Sequence, residues 1–81
     1  MAQVEAREVI AQVWCGLLGV SEASADDDFF AIGGNSLSAI RLVDAVEERL
    51  GRPFPLDVLF QVGTFGAIVE AYAEAAVSPE R

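Results

Sequence analysis

Apolar side chains recur every three to four residues in three separate stretches of this chain, and that spacing most constrains what it can fold into. Ala6, Ile10, Val13, Trp14 and Leu17 share one face of a predicted helix over about 4–18, with Glu5, Glu8 and Gln12 elsewhere on the wheel. Ala39, Leu42, Val43, Val46 and Leu50 form a second stripe over about 37–50, opposite Arg41, Asp44, Glu47 and Glu48. Phe65, Ile68, Val69, Tyr72 and Ala76 form a third, with Thr64 as its expected cap and Glu70 and Glu74 facing water. Gly19 stops the first helix. Gly51, Arg52, Pro53 and Pro55 end the second and force an extended connection in which Phe54 and Leu56 are expected to turn inward. A short helix over about 57–61 follows, and Val62 is read as an exposed contact. Amphipathic stripes are buried only against one another, so the expected fold is all-α: a four-helix bundle with a long first loop and a short third helix.

The chain has 81 residues, enough for a single domain with a helical core over about 4–76 and a polar tail at 77–81. At this size little space remains for an enclosed active site. Histidine, the usual general base and metal ligand, is absent from the sequence, and the lone Cys15 can form neither an internal disulfide nor a cysteine-rich metal site. Its place near the edge of an apolar stripe makes it a small packing residue. Asp26 to Asp28 do not make a calcium loop, because Phe30 and Leu37 stand where oxygen ligands would be needed. A chain of this kind presents something to other proteins; it is not expected to catalyse, nor to hold a metal.

The formal charge of −8 opposes binding to nucleic acid and to anionic membranes, and favours partners with basic docking patches. Glycine and polar residues interrupt each apolar run before it reaches the length of a membrane span, and Glu5 and Arg7 spoil a signal peptide. A cytoplasmic monomer is expected. Met1 and the tail suit a free-standing protein and an excised domain equally.

The loop over 19–35 is long for a small bundle, with Val20, Phe29, Phe30 and Ile32 as its expected anchors in the core. It ends in Gly33, Gly34 and Asn35, directly before Ser36 and the second helix. The glycines leave the serine unshielded and permit backbone angles closed to other residues, and Asn35 is a natural turn former. The Ser36 hydroxyl should therefore face solvent. An anion on its oxygen would lie over free backbone N–H groups at the positive end of a helix, and a phosphodiester suits that place. A plain helix cap is the simpler reading of Ser36, and the two roles are compatible. Leu37 and Ile40 fall on the wet side of the second helix, so with Arg41 and Asp44 they suggest a docking patch with an apolar centre and a charged rim.

The stretch Asp27-Asp28-Phe29-Phe30-Ala31-Ile32-Gly33-Gly34-Asn35-Ser36-Leu37 resembles the attachment site of phosphopantetheine carrier domains, and its double glycine is similar to the peptidyl carrier, or thiolation, domains of nonribosomal peptide synthetases. Trp14 to Val20, Pro55 to Phe60 and Thr64 extend the resemblance over most of residues 4–76. It implies that Ser36 carries 4′-phosphopantetheine donated by coenzyme A, on a loop formed by Gly33, Gly34 and Asn35. The implied partners are a phosphopantetheinyl transferase, an adenylation enzyme, and condensation, tailoring or thioesterase enzymes. Two departures stand out: the family usually has proline where Gly63 stands, and histidine or aspartate where Asn35 stands.

An acyl carrier protein of fatty-acid or polyketide synthesis is the nearest alternative, disfavoured because aspartate does not precede the serine. An unmodified helical interaction module is a second. A serine hydrolase is the weakest, since Gly34-Asn35-Ser36-Leu37-Ser38 lacks the last glycine of a nucleophile elbow.

Overall fold

A computed structural model describes residues 2–77, with side chains over 6–74. Four helices run in order: α1 (Ala2–Leu18), α2 (Ser36–Leu50), α3 (Leu56–Gln61) and α4 (Phe65–Val77). Among the described residues β-pairing is limited to one antiparallel bridge, between Asp28 and Thr64. The expected all-α bundle with a long first loop and a short third helix is the observed architecture. α1 packs on both α2 and α4, and α3 packs on α4. The expected placement of Ala76 and of the tail at 78–81 falls outside the described side chains.

The stripes meet as their spacing requires. Ala6, Ile10 and Trp14 of α1, Ala39, Leu42 and Val46 of α2, and Phe65, Ile68, Val69 and Tyr72 of α4 are buried in one cluster. Val13, Leu17, Val43 and Leu50, also assigned to the stripes, are half-buried along its edges. Trp14 is the central contact, its ring centroid 5.3 Å from those of Phe29 and Phe65, both edge-to-face. One indole thus holds α1, the long loop and α4 together, in the geometry that aromatic quadrupoles favour.

Backbone hydrogen bonds fix the long loop to the start of α4. Phe29 N–H donates to the Gly63 carbonyl at 2.8 Å, Phe65 N–H to Asp27 at 2.9 Å, and Gly66 N–H to Ala25 at 3.0 Å. The Asp28 carboxylate accepts from the N–H groups of Phe30 and Ala31 at 2.9 and 3.2 Å, which folds residues 28–34 into a tight turn. Gly63 has φ of +81°, an angle proline cannot adopt, so glycine in place of the family's usual proline goes with a different local backbone. Thr64 caps α4 as expected, its Oγ1 accepting from Ala67 N–H at 3.4 Å.

The 51–55 connection is held as firmly. Gly51 ends α2 in the left-handed region, and Phe54 is buried with its N–H donating to Glu47 Oε2 at 2.8 Å. Glu47, expected on the wet side, is half-buried because it caps this connection. The Tyr72 hydroxyl donates to the Arg52 carbonyl at 3.2 Å, and the Arg52 guanidinium lies 4.2 Å from the Tyr72 ring centre. Burial pushes the Tyr72 phenol above its ordinary pKa, with Arg52 partly opposing.

Two expected core residues point outward. Leu56 is 44% exposed: it is the first residue of α3, directly after Pro55, and the buried residue of that helix is Leu59 one turn on. Phe30 is at the surface because the turn that buries Phe29 sends its neighbour the opposite way; it stacks on exposed Phe60 with centroids 5.7 Å apart.

Candidate functional site

The start of α2 is built by Asn35. Its backbone is extended, its Oδ1 accepts from Ser38 N–H at 2.9 Å, and Ser38 Oγ accepts in return from Asn35 N–H at 2.9 Å. This reciprocal pair satisfies two donors that a helix start otherwise leaves open. The cap is therefore Asn35, one residue before the serine, and the capping role considered for Ser36 does not hold. Ser36 is the first residue of α2 and exposed, and among the described residues its hydroxyl makes no hydrogen bond. The N–H groups of Ser36 and Leu37 likewise have no acceptor among the described residues.

The two glycines have different reasons. Gly33 has φ of +119°, and a Cβ there would meet open space, so its backbone angle alone asks for glycine. Gly34 is held against Phe29: a Cβ would overlap the buried ring and come within 2.7 Å of the Phe29 carbonyl. The expectation that the glycines leave the serine unshielded does not account for Gly34. Gly34 is absent of side chain for the sake of the core, and through it the turn that ends at Ser36 is set against the most buried ring of the loop.

Beside the serine lies an open depression of about 290 Å³, lined by Leu17, Gly33, Asn35, Leu37, Ser38 and Arg41. It brings together four residues singled out in the sequence, and adds Leu17 from α1 and Ser38. Leu37 and Ile40 are 61% and 56% exposed, on the wet side as expected, and Arg41 and Asp44 are exposed with them. Val62 is also exposed, but it caps α3, which packs on α4, so it belongs to a separate element. Phe30, Leu56 and Phe60 are exposed apolar residues that the sequence reading placed inside or passed over. Leu56 and Phe60 stand one helical turn apart, which places them side by side on α3.

A phosphodiester fits here. An unengaged hydroxyl stands at the surface, with two unpaired N–H donors beside it and no carboxylate among the residues lining the adjoining depression. Fold and site together define a small helical module that presents one serine at a helix start.

Residues 8–72 match the phosphopantetheine attachment site family. The chain is 39% identical over 64 residues to surfactin synthase subunit 3 of Bacillus subtilis, an alignment covering 79% of this chain and 5% of that protein, so the chain spans a small fraction of this relative. Among solved structures, an active-site mutant peptidyl carrier protein superposes with a TM-score of 0.81 at 30% identity, covering 95% of this chain and 86% of that one. BlmI, a type-II acyl-carrier-protein of Streptomyces verticillus involved in bleomycin biosynthesis, superposes with a TM-score of 0.78 at 28% identity, covering 94% and 90%. The chain belongs to the phosphopantetheine attachment site family. It is a carrier domain homologous to peptidyl carrier domains, of a family whose members bear covalent 4′-phosphopantetheine. Among the described residues no helix is long and apolar enough to cross a membrane.

Proposed function

We propose that Ser36 Oγ is the attachment atom, and that residues 1–81 act as one cytoplasmic carrier domain, without catalysis of its own, in nonribosomal peptide or related natural-product synthesis. The observation that carries this is the division of labour at the helix start: Asn35 and Ser38 cap it, which leaves the Ser36 hydroxyl free and exposed. In the transfer, Ser36 Oγ attacks the phosphorus that bears the pantetheine unit of coenzyme A. The new O–P bond replaces the bond to adenosine 3′,5′-bisphosphate, which leaves, and the serine proton passes to a base of the transferase. Gly33 and Asn35 orient the backbone, and the free N–H groups of Ser36 and Leu37 face the new negative charge. Once in place, the arm supplies a terminal thiol on which an aminoacyl or peptidyl group is held as a thioester.

An adenylation enzyme loads that thiol, and condensation, tailoring or thioesterase partners act on the cargo. Ile40 and Leu37 form the apolar centre of their docking patch, with Arg41 and Asp44 at its rim and Val62 as an outlying contact. Intact mass after incubation with a phosphopantetheinyl transferase and coenzyme A tests the assignment: one phosphopantetheinyl group is gained by the wild type and none by Ser36→Ala. Modification at Ser21, Ser24 or Ser38 would move the site. An acyl cargo is the second reading, favoured by the likeness to BlmI; loading with amino acids by adenylation enzymes, set against acyl transfer, separates the two.

A further inference from the structure

We propose that the depression beside Ser36 is a docking site for the base of the arm: Arg41 pairs with its phosphodiester charge, and Leu17 and Leu37 receive the gem-dimethyl group of its pantoyl unit. This rests on Ser36 as the attachment residue.

Charge carries the first part. In a chain of net charge −8, cations are few, and those described are mostly engaged. Arg7 lies over the Phe65 ring, Arg49 donates to Gln12 Oε1 at 2.8 Å, and Arg52 is held by Tyr72. Arg41 has no hydrogen-bond or ion-pair partner among the described residues, and it lines the depression next to the serine. Side chains on a helix lean toward its N-terminus, so Arg41 covers the turn of Leu37 and Ser38, on the side where the phosphodiester would stand.

Shape and chemistry carry the second. Asn35 and Leu37, the immediate neighbours of Ser36, both line the depression, so an arm on Ser36 starts at its rim. One part of the lining is apolar, from Leu17 and Leu37; the other is polar, from Asn35, Ser38 and Arg41. The base of the arm offers both kinds of chemistry, a charged phosphate and an apolar quaternary carbon followed by hydroxyl and amide groups. The volume of about 290 Å³ is near the lower end of small-molecule sites, which run from about 300 Å³ upward. It holds the base of the arm and leaves the thiol and cargo outside. A partner that offers Arg41 a carboxylate would release the arm as it docks.

The test uses isotope-labelled protein, apo and after modification, with intact mass taken on each sample and NMR as the readout. The expected result is contact between the arm's gem-dimethyl protons and the Leu17 and Leu37 methyl groups, together with apo-to-holo shifts at Leu17, remote from Ser36 in sequence. In Arg41→Gln, incubated with the transferase until intact mass shows complete conversion, however slow, those contacts disappear, the Leu17 signals return to their apo positions and the phosphorus resonance of the arm moves; Arg41→Lys restores part of the effect. Shift changes confined to 33–38 would mean a solvated arm, and contacts that survive Arg41→Gln would remove the arginine from the site; either overturns the proposal while Ser36 stands. Protein that gains no mass overturns the attachment reading, and this proposal with it.

Discussion

Replacing Asn35 and Ser36 separately by alanine distinguishes capping from attachment, because the cap is Asn35 and the proposed attachment residue is its neighbour Ser36. Asn35→Ala removes the oxygen that accepts from Ser38 N–H at 2.9 Å and takes one partner from Ser38 Oγ. Loss of an Asn cap costs about 1 kcal/mol, within a range of about 0.5–2. For a domain of this size that corresponds to a fall of roughly 4–8 °C in Tm. Ser36→Ala breaks no hydrogen bond among the described residues and exposes no cavity, and alanine is the better helix former, so the change should stay within about 0.5 kcal/mol. Modification runs the other way. The Asn35→Ala protein should still be converted to the holo form, and the Ser36→Ala protein should not be converted at all.

Thermal and urea unfolding followed by far-ultraviolet circular dichroism, paired with intact mass, reads both quantities on the same samples. If Ser36→Ala loses as much stability as Asn35→Ala, the serine is a cap after all. If Asn35→Ala is as stable as the wild type, the reciprocal bonds with Ser38 contribute nothing and the account of the helix start fails.

Gly34→Ala should destabilise by about 1–3 kcal/mol, since its Cβ overlaps the Phe29 ring, which is held between Trp14 and Phe30; urea midpoints equal to wild type would show that the ring yields freely. Ile40→Asp should shift stability by no more than about 0.5 kcal/mol, because the side chain is 56% exposed, and yet slow modification or loading; a large fall in Tm would make Ile40 core, and unchanged rates with each partner tested would leave the patch without a role. Modification at subsaturating carrier should slow as salt rises, because a charge of −8 steers a basic partner only within a Debye length, about 8 Å at physiological salt and about 3 Å at 1 M. Rates flat across that range would leave apolar contact as the whole of docking.

The helices with long stripes were legible because a stripe repeated over three or more turns fixes both the helix and its phase. Ala39, Leu42 and Val46 face the core as their spacing predicts, and Ile40 faces water for the same reason. α3 has less than two turns, too few to set a phase, and Leu56 was accordingly assigned to the wrong side. A loop has no period at all, so the sequence could place the Phe29-Phe30 pair near the core but not say which ring enters. The helix start was misread by one residue: Asn35, Ser36 and Ser38 are all competent caps, and the reciprocal partner is a serine where the usual signature is glutamate or glutamine. The depression could not be read from local sequence, since it needs Leu17 of α1 beside Arg41 of α2.

The position of Ser36 depends on contacts distant in sequence, and this bears on how a carrier meets its partners. The turn before the serine is fixed to Phe29, Phe29 to Trp14 by ring contact and to Gly63 by a backbone bond, and the following residues of α4 to Ala25 and Asp27. On the proposed reading, a serine held in this way loses little further freedom when an enzyme takes it up, so more of the contact energy at the proposed Ile40 and Leu37 patch remains as affinity. The same chain of contacts exposes a liability. A Cβ at Gly66 would lie 3.0 Å from that of Ala25, so the loop would have to give by a few tenths of an ångström there, next to the bonds that fix Asp27 and Phe29. Positions 63–66 line neither the depression nor the proposed docking patch on α2, yet their backbone bonds help to hold the serine's loop in place.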